Sequence, residues 1–191
     1  MRRLAAICFA ALVLVLPYAG PAAGQDGEKR YEISNFDVTI QVRPDGTYEV
    51  EETLVYDFQR GTFTYAYRSI DDADVEAIRD VRVTSPDVAV DSVRRTEADD
   101  NVRVRWTYPE RSAPATFTIR YVVDGALFER GDRNVVHRDV LDPGATVTTR
   151  DLDVRVVLPA GFTLAPDSVA VEPATGTVEA SVGRVEAAFQ R

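Results

Sequence analysis

Residues 36–58 read FDVTIQVRPDGTYEVEETLVYDF, with an apolar side chain at nearly every second position on both sides of a turn. A period of two places alternate side chains on one face of a β-strand, so each arm has one apolar face. Proline presets φ at Pro44, the Asp45 side chain can bond its own backbone, and Gly46 accepts the positive φ that closes a turn. The stretch therefore predicts a β-hairpin that buries one face. That face comprises Phe36, Val38, Ile40, Val42, Tyr48, Val50, Leu54, Tyr56 and Phe58.

The rest of the chain continues in short alternating runs that are separated by Pro, Gly and Asp turns. None of these runs has the 3.6-residue period of an amphipathic helix over a helix length. Short strands at regular spacing are typical of an antiparallel β-sandwich, immunoglobulin-like or related, and we expect about ten of them. Beyond the hairpin, the predicted strands lie at residues 62–70, 78–84, 88–93, 102–106, 115–123, 134–141, 152–158, 168–171, 176–182 and 185–189.

The N-terminus has the features of a secretory signal peptide. A positively charged start precedes an apolar run over residues 4–16 and a stretch of small residues. This order is typical of a signal peptide, and the run is shorter than the roughly 20 residues that span a bilayer. We therefore expect a signal peptide at residues 1–24, a flexible lead-in at 25–30 and a single β-sandwich domain at 31–191. An uncleaved anchor is the alternative. The domain is expected at the extracytoplasmic face of the membrane, in the periplasm or secreted.

The protein is acidic, with 22 Lys and Arg against 31 Asp and Glu, and a net charge of −9. Removing residues 1–24 takes away two arginines and no acid, so the net charge becomes −11. Such a surface repels nucleic acids and anionic headgroups on average, and we expect no nucleic-acid partner. The single cysteine, Cys8, falls in the signal peptide. The domain must therefore rely on its core rather than on disulfides.

The sequence lacks the usual combinations of catalytic side chains. With one histidine, His137, and no cysteine after residue 24, Cys/His nucleophilic sites and Cys-rich zinc sites are excluded. A Ser-His-Asp arrangement would have to use His137, and no Gly-x-Ser-x-Gly turn is present. A pair of carboxylates for glycoside cleavage needs a separation that a sequence does not show. We therefore predict that the chain is not an enzyme and has no cofactor.

Two acidic turns could offer oxygen ligands to a calcium ion. They are Asp71, Asp72 and Asp74, and separately Asp99, Asp100 and Asn101. Neither turn has the spacing of a known calcium loop, and acidic turns are ordinary in an acidic protein. We therefore predict no metal site.

Three aromatic residues are weak candidates for a ligand-binding surface, namely Tyr65, Tyr67 and Trp106. Trp106 follows Arg103 and Arg105, and aromatic residues beside basic ones could form a platform for a glycan or a nucleic acid. A period of two, however, places both arginines on the face opposite Trp106, which favours a core tryptophan and solvated arginines. The same period places Phe63, Tyr65 and Tyr67 on one face. For that row, core or cross-strand packing is favoured over a sugar-binding strip.

One residue interrupts the apolar face of the hairpin, because Glu52 is in register with its apolar neighbours. A carboxylate on a buried face is costly unless it is paired. On the following strand, Arg68 alternates onto the same side as Ala66 and Ile70, so it is the candidate partner. We predict a partly buried ion pair between Glu52 and Arg68 that locks the second and third strands, with a structural role favoured over a binding site.

An ordered series of short segments, each weak by itself, carries a family resemblance over about residues 31–160. The segments are Ile33-x-x-Phe36-x-Val38-x-Ile40, Pro44-Asp-Gly46, Val50-x-Glu52-Thr53, Arg68-Ser-Ile70, Ile78-x-Asp80-Val81-x-Val83, Phe117-x-Ile119-x-Tyr121-x-Val123-x-Gly125-Ala126-Leu127 and Val154-x-Val156-x-Leu158-Pro159. In this order they resemble the N-terminal domain of the bacterial predicted membrane proteins catalogued as domain of unknown function 2207. The resemblance implies an exported β-rich domain that precedes transmembrane helices and a low-complexity, often glycine-rich tail. It implies no activity, because the family has no established one.

The sequence departs from this family pattern in two places. The family's tryptophan-bearing segment after the Gly-Ala-Leu loop corresponds here to residues 135–140, which contain no tryptophan. A pocket built on that segment is therefore less expected. No transmembrane helix follows the domain in this sequence, so membrane attachment is implied by the resemblance alone.

These observations favour an exported, non-catalytic interaction domain at the bacterial cell envelope, with an envelope protein or a wall polymer as partner. Two alternatives stay open. A carbohydrate-binding or carbohydrate-active module would use Tyr65, Tyr67 or Trp106, and burial of all three would exclude it. A structural spacer would hold the outer region of a membrane-anchored protein.

Overall fold

Strands make up the regular structure of the computed structural model, which describes residues 28–98, 101–125, 127–130, 133–136, 138–141, 147–161, 177–181 and 184–190. These residues form twelve strands and no helix, so the predicted antiparallel β-sandwich is confirmed. The strands are β1 (Arg30–Val42), β2 (Tyr48–Arg60), β3 (Phe63–Asp71), β4 (Ala77–Thr84), β5 (Ser92–Ala98), β6 (Asn101–Arg111), β7 (Ala115–Asp124), β8 (Leu127–Arg130), β9 (Arg133–Val136), β10 (Thr149–Val157), β11 (Thr177–Ser181) and β12 (Arg184–Gln190). Residues 1–24, Asp99, Asp100, His137 and the strand predicted at 168–171 lie outside the described residues.

Two sheets form the sandwich. The larger has the strand order β11-β12-β10-β1-β2-β7-β4, and the smaller has the order β3-β6-β5. β8 and β9 pair in a separate two-stranded ribbon. β1 and β10 run parallel, whereas the other pairings that the structure describes are antiparallel. Two parallel strands can pair only when a long stretch of chain connects them. The pairing of β1 with β10 therefore brings an early and a late part of the chain together in one sheet.

The hairpin of β1 and β2 lies inside the larger sheet, and its faces are as the alternation predicts. In its turn, Gly46 has a φ of 86°, and Asp45 Oδ1 accepts the Thr47 backbone N–H at 3.0 Å. The nine apolar residues predicted for the inner face are all buried. Glu52 lies among them at 2% exposure, directly opposite Val38. The hairpin therefore carries a charged group into the core.

Aromatic side chains fill the space between the two sheets. Trp106 of β6 packs against Phe117 of β7 with ring centroids 5.3 Å apart, and edge-on against Tyr56 of β2 at 6.3 Å. Phe58 stacks on Phe63 at 4.4 Å. Each large apolar side chain that is fully buried stabilises the fold by about 1.5–3 kcal/mol. These contacts hold the inner face of the smaller sheet against β2 and β7.

An irregularity in β3 changes the faces that its aromatic residues occupy. The register shifts between Phe63 and Tyr65, so Phe63 enters the core whereas Tyr65 and Tyr67 are 47% and 50% exposed. The prediction that these three residues share one face is wrong, because the pairing of β3 with β6 is irregular at this point, with two steps along β3 set against four along β6, and the alternation does not continue through it. β3 is also the edge strand of the smaller sheet. The two tyrosines therefore line an open edge of the sandwich.

Candidate functional site

Glu52 and Arg68 meet between the two sheets. Arg68 Nε donates to Glu52 Oε2 at 2.7 Å, and Arg68 Nη2 donates to Glu52 Oε1 at 3.3 Å. The guanidinium also lies over the ring of Phe36, with Cζ 5.4 Å from the ring centroid. Burial by itself would lower the pKa of Arg68, but the adjacent Glu52 carboxylate outweighs burial and the pKa is raised. The structure thus brings the two predicted partners together, and their role in locking β2 to β3 stays a prediction.

Two further side chains complete the buried charge network, which we define as Glu52, Arg68, Tyr121 and Arg138. The Tyr121 hydroxyl donates to Glu52 Oε1 at 2.8 Å. Burial, and secondarily the Glu52 charge, raises the pKa of Tyr121. Arg138 Nη2 donates to the Tyr121 hydroxyl oxygen at 3.3 Å. The single Glu52 carboxylate therefore organises groups from β3, from β7 and from the segment at residues 138–141.

The buried charge network also attaches that segment to the sandwich. Arg138 Nη1 donates to the Asp71 carbonyl oxygen at 2.6 Å, and Arg68 donates to the Val140 carbonyl oxygen. A buried polar group that loses its hydrogen bond costs about 1–3 kcal/mol, so these contacts favour a single arrangement of the segment. With Glu52 only 2% exposed, its carboxylate is closed to a substrate in this arrangement.

The second cluster lies on the outer face of β3 and β6. We call it the aromatic edge and define it as Tyr65, Tyr67, Arg103 and Arg105. Arg105 Cζ lies 4.3 Å from the centroid of the Tyr65 ring, and Arg103 Cζ lies 5.4 Å from that of Tyr67. The register places Arg105 directly opposite Tyr67, so each arginine reaches diagonally to its tyrosine. Because alternate residues of a strand are about 6.8 Å apart, two equivalent Arg–Tyr units repeat at that spacing.

A cavity of about 200 Å³ opens beside the aromatic edge. Its lining includes Lys29, Tyr31, Phe58, Phe63, Tyr65 and Tyr67. Lys29 Nζ lies 5.5 Å from the Phe63 ring centroid, and the Tyr31 ring packs edge-on against Phe63 at 5.5 Å. Burial, followed by the neighbouring Tyr67 and Tyr65 phenols, raises the pKa of Tyr31. The cavity therefore presents aromatic walls, the Tyr31 phenol and the Lys29 side chain.

Trp106 does not contribute to this surface. Its ring is fully buried between the sheets, which agrees with the favoured interpretation of a core tryptophan and removes Trp106 from the weak ligand-surface candidates. Tyr65 and Tyr67, the other two candidates, are the exposed ones. Arg103 and Arg105 lie on the outer face, opposite the tryptophan, as the period of two predicts.

The acidic turns do not assemble a metal site in the part of the chain that the structure describes, where no three His, Cys, Asp or Glu side chains converge on one point. Asp71 Oδ1 accepts the Ala73 backbone N–H at 3.0 Å, so this carboxylate stabilises its own turn. The second acidic turn contains Asp99 and Asp100, and like His137 these residues lie outside the described ranges.

Tyr121 and Arg138 were not predicted from the sequence as members of the buried charge network, nor was Lys29 predicted as part of the cavity lining. A signal for Tyr121 exists, because it follows Phe117 and Ile119 on the inward face of β7, and a hydroxyl on a buried face needs a partner. Arg138 and Lys29 precede or follow strands rather than lying within them. No periodicity therefore indicates where their side chains point.

The fold is similar to that of parts of larger solved proteins. Native leukotriene A4 hydrolase from Saccharomyces cerevisiae matches with a TM-score of 0.53 and 9% identity, over 92% of this chain and 30% of that one. Yeast LTA4 hydrolase in complex with bestatin gives 0.52 and 9%, over 91% and 29%. An M1 zinc metallopeptidase from Deinococcus radiodurans gives 0.43 and 16%, over 84% and 39%. The chain spans less than half of each protein, and for the two yeast structures an identity this low shows similarity of fold alone.

No curated protein is similar enough to this chain to count as a match. A family model does match, over residues 32–188, and it is described as the predicted membrane protein (DUF2207) N-terminal domain. The match includes most of the chain and most of the residues of both sheets. Within the described residues, no helix is long and apolar enough to cross a membrane.

Proposed function

The chain belongs to the DUF2207 family of predicted membrane proteins, and from this membership we propose that it is an exported, non-catalytic β-sandwich that works by interaction at the cell envelope. Export is supported by the order of charged, apolar and small residues in 1–24. Attachment to the membrane is supported by the family, whose members are predicted membrane proteins. The β-sandwich is then the part of the protein that binds a partner on the extracytoplasmic side.

The aromatic edge is the observation that carries this proposal. Tyr65 and Tyr67 are about half exposed, whereas Phe63 of the same strand is buried in the core. Each exposed ring lies under a guanidinium. Tyrosine and arginine are enriched among the residues that dominate binding energies at protein surfaces. Because both rings lie outside the core, this cluster serves a partner better than it serves the fold.

A non-catalytic role is supported by the chemistry of the two clusters. A general base near neutral pH needs a pKa close to that pH and access to substrate. The Glu52 carboxylate is enclosed by Arg68 and Tyr121. At the open cavity, burial raises the pKa of the Tyr31 phenol, which moves it further from the neutral range that a general base needs. Neither the buried charge network nor the cavity therefore offers an accessible base.

The proposal is tested by sedimentation with isolated cell envelopes of the source organism. We expect the wild-type chain to sediment with the envelopes and Tyr65→Ala/Tyr67→Ala to sediment at least fivefold less. Arg120→Ala removes an exposed charge from the other sheet and is expected to behave as the wild type. Equal sedimentation of the wild type and the double variant would contradict the proposal. Turnover of peptide, ester or glycan substrates above background would contradict its non-catalytic part.

A further inference from the structure

The aromatic edge continues into a basic strip on the same outer face of the smaller sheet. Arg94 of β5 lies directly opposite Arg105 of β6, and Arg103 lies opposite Thr96. All three arginines are exposed. Like charges directly opposite each other on adjacent strands are destabilising, so this arrangement weakens the sheet unless something neutralises it.

The outer face of the larger sheet shows how such repulsion is normally relieved. There Arg82 of β4 lies opposite Arg120 of β7. Arg120 Nε donates to Glu51 Oε2 of β2 at 2.5 Å, so a neighbouring carboxylate balances the arginine pair. This face supplies its own counter-charge.

Where β6 pairs regularly with β3 and β5, between Asn101 and Thr107, the described carboxylate of the outer face is Asp71, at the far end of β3 and opposite Asn101. Asp71 already accepts the Ala73 backbone N–H. Among the described side chains, none of the ion pairs involves Arg94, Arg103 or Arg105. The basic strip therefore lacks a counter-charge within the described part of the chain and is suited to one from a ligand.

We propose that the outer face of β3, β6 and β5 binds an acidic polysaccharide. Its carboxylates or phosphates contact Arg94, Arg103 and Arg105, and its sugar rings pack on Tyr65 and Tyr67. This inference rests on the proposed function, because it names the class of partner for the same surface.

The geometry of each Arg–Tyr unit suits both parts of such a ligand. A guanidinium over an aromatic ring keeps its N–H groups at the periphery, where they can bind a carboxylate or a phosphate in a bidentate manner. The stacking also holds the arginine in place, which reduces the side-chain freedom that binding would remove. The exposed part of each tyrosine ring has a negative face, which attracts the weakly positive C–H groups of a sugar ring.

The repetition favours a polymer over a small anion. Two equivalent Arg–Tyr units follow one another along the sheet at about 6.8 Å, and Arg94 extends the strip sideways onto β5. A ligand with repeated charges and rings contacts all of these groups at once. The protein as a whole has a net charge of −9, so a polyanion is repelled elsewhere and directed to this strip.

A lipid surface fits the same residues less well. Binding in a membrane interface requires apolar side chains that enter the lipid. The exposed Val93 of β5 is opposite Trp106 and hence belongs to the inner side of the sheet. The large side chains of the outer face are instead tyrosines and arginines, which suit a hydrated chain of sugars.

The test measures binding of the purified chain to five probes by affinity electrophoresis and calorimetry. Polygalacturonate supplies carboxylates and phosphomannan supplies phosphates, so these two distinguish the source of the negative charge. Fully methyl-esterified polygalacturonate has the same backbone without the charge. Poly-L-glutamate and phosphatidylglycerol vesicles represent an acidic peptide and an anionic lipid surface. We expect at least one acidic polysaccharide to bind, at least tenfold more tightly than the other three probes, and more weakly at high salt.

Variants locate the binding on the proposed face. Arg103→Ala/Arg105→Ala and Tyr65→Ala/Tyr67→Ala are each expected to weaken binding at least tenfold. Arg103→Lys/Arg105→Lys keeps the charge but loses the planar fork, and we expect at least a threefold loss. The matched control Arg82→Ala/Arg120→Ala removes two opposed arginines from the larger sheet and is expected to stay within twofold of the wild type. Thermal melting confirms that each variant is folded.

Three results would overturn this inference: no binding of either acidic polysaccharide, equal binding of poly-L-glutamate or vesicles, or an equal loss in the control variant. If the chain sediments with envelopes through Tyr65 and Tyr67 but binds neither acidic polysaccharide, the inference fails and the proposed function stands. If polygalacturonate binds and is cleaved, seen as new reducing ends, the non-catalytic proposal fails and the inference stands.

Discussion

Replacing the Glu52 carboxylate by an amide, in Glu52→Gln, leaves the buried Arg68 guanidinium without a counter-charge. Arg68 Nε and Nη2 both donate to this carboxylate, and the Tyr121 hydroxyl donates to it as well. Removing one partner of a buried ion pair costs about 3–5 kcal/mol. Folded domains are stable by only about 5–15 kcal/mol. The variant is therefore expected to lose a large part of its free energy of unfolding.

Urea unfolding measures this loss, with the fluorescence of Trp106 as the probe because it is the single tryptophan and is fully buried. At a typical slope of about 2 kcal/mol per molar urea, the midpoint falls by about 1.5–2.5 M. Glu51→Gln is the matched control, since Glu51 is the neighbouring residue and pairs with Arg120 in solvent. An exposed pair contributes less than about 1 kcal/mol.

Equal and small losses in Glu52→Gln and Glu51→Gln would refute the reasoning, because the buried pair would then stabilise no more than a surface pair. Glu52→Leu/Arg68→Met removes both charges and sharpens the test. Apolar replacement of a whole buried pair is often neutral or stabilising, although here it leaves the Tyr121 hydroxyl and the Val140 carbonyl without Arg68 or Glu52. We expect the double variant to be more stable than Glu52→Gln alone.

Three further predictions concern the fold. Above about pH 10, stability is expected to fall by about 1.4 kcal/mol per pH unit for each of Tyr56 and Tyr121. The reason is that burial raises the pKa values of both tyrosines, so only the unfolded chain releases these protons. An unchanged urea midpoint between pH 8 and pH 11 would contradict this prediction. Gly125→Ala is expected to lower the free energy of unfolding by about 1–2 kcal/mol, because Gly125 has a φ of 69° and a Cβ there would lie 2.3 Å from Glu76 Cγ. Gly161→Ala, at a φ of 92° and without such a contact, should lose less stability, as measured by thermal melting. Asp80 has a φ of 56°. Asp80→Asn should therefore change stability by less than about 0.5 kcal/mol, whereas Asp80→Val should lower it by about 1–2 kcal/mol. Equal melting temperatures for the two variants would be inconsistent with this prediction.

The parts of the fold that local pattern determines were predictable from the sequence. Alternation along residues 36–58 identifies the buried face of the hairpin, and Gly46 indicates its turn, because both depend on residues close together in the chain. Glu52 was recognisable for the same reason, as a charge in an apolar row. The arginines of β6 likewise alternate opposite Trp106, so their exposure follows from the period of two.

The parts that depend on long-range pairing were not predictable. The pairing of β3 with β6 is irregular between Phe63 and Tyr65, beyond which the two tyrosines face outward, and no residue in that run predicts the irregularity. The strand predicted at residues 88–93 is instead a loop up to Asp91, and β5 runs from Ser92 to Ala98. Asp87 Oδ2 accepts the Thr116 backbone N–H at 2.7 Å in that loop. This hydrogen bond joins residues 29 positions apart in the chain, and local alternation gives no indication of such a contact.

The two clusters are expected to have different roles, one inside the domain and one on its outer face. The buried charge network joins β2, β3 and β7 and is expected to affect stability. The aromatic edge lies on the far side of β3 and is expected to affect binding. Because neighbouring residues such as Tyr67 and Arg68 point to opposite faces, substitutions can separate the two roles within a single strand.

The most direct test of the central claim, that this domain works by interaction through the aromatic edge, is site-specific photocrosslinking in living cells. A benzophenone side chain is placed at Tyr67 in one strain and at Arg120, on the outer face of the larger sheet, in another. After irradiation we predict a high-mass adduct of the envelope fraction with the probe at Tyr67 and none with the probe at Arg120. Adducts at Arg120 without any at Tyr67, or no adduct at either position, would contradict the account.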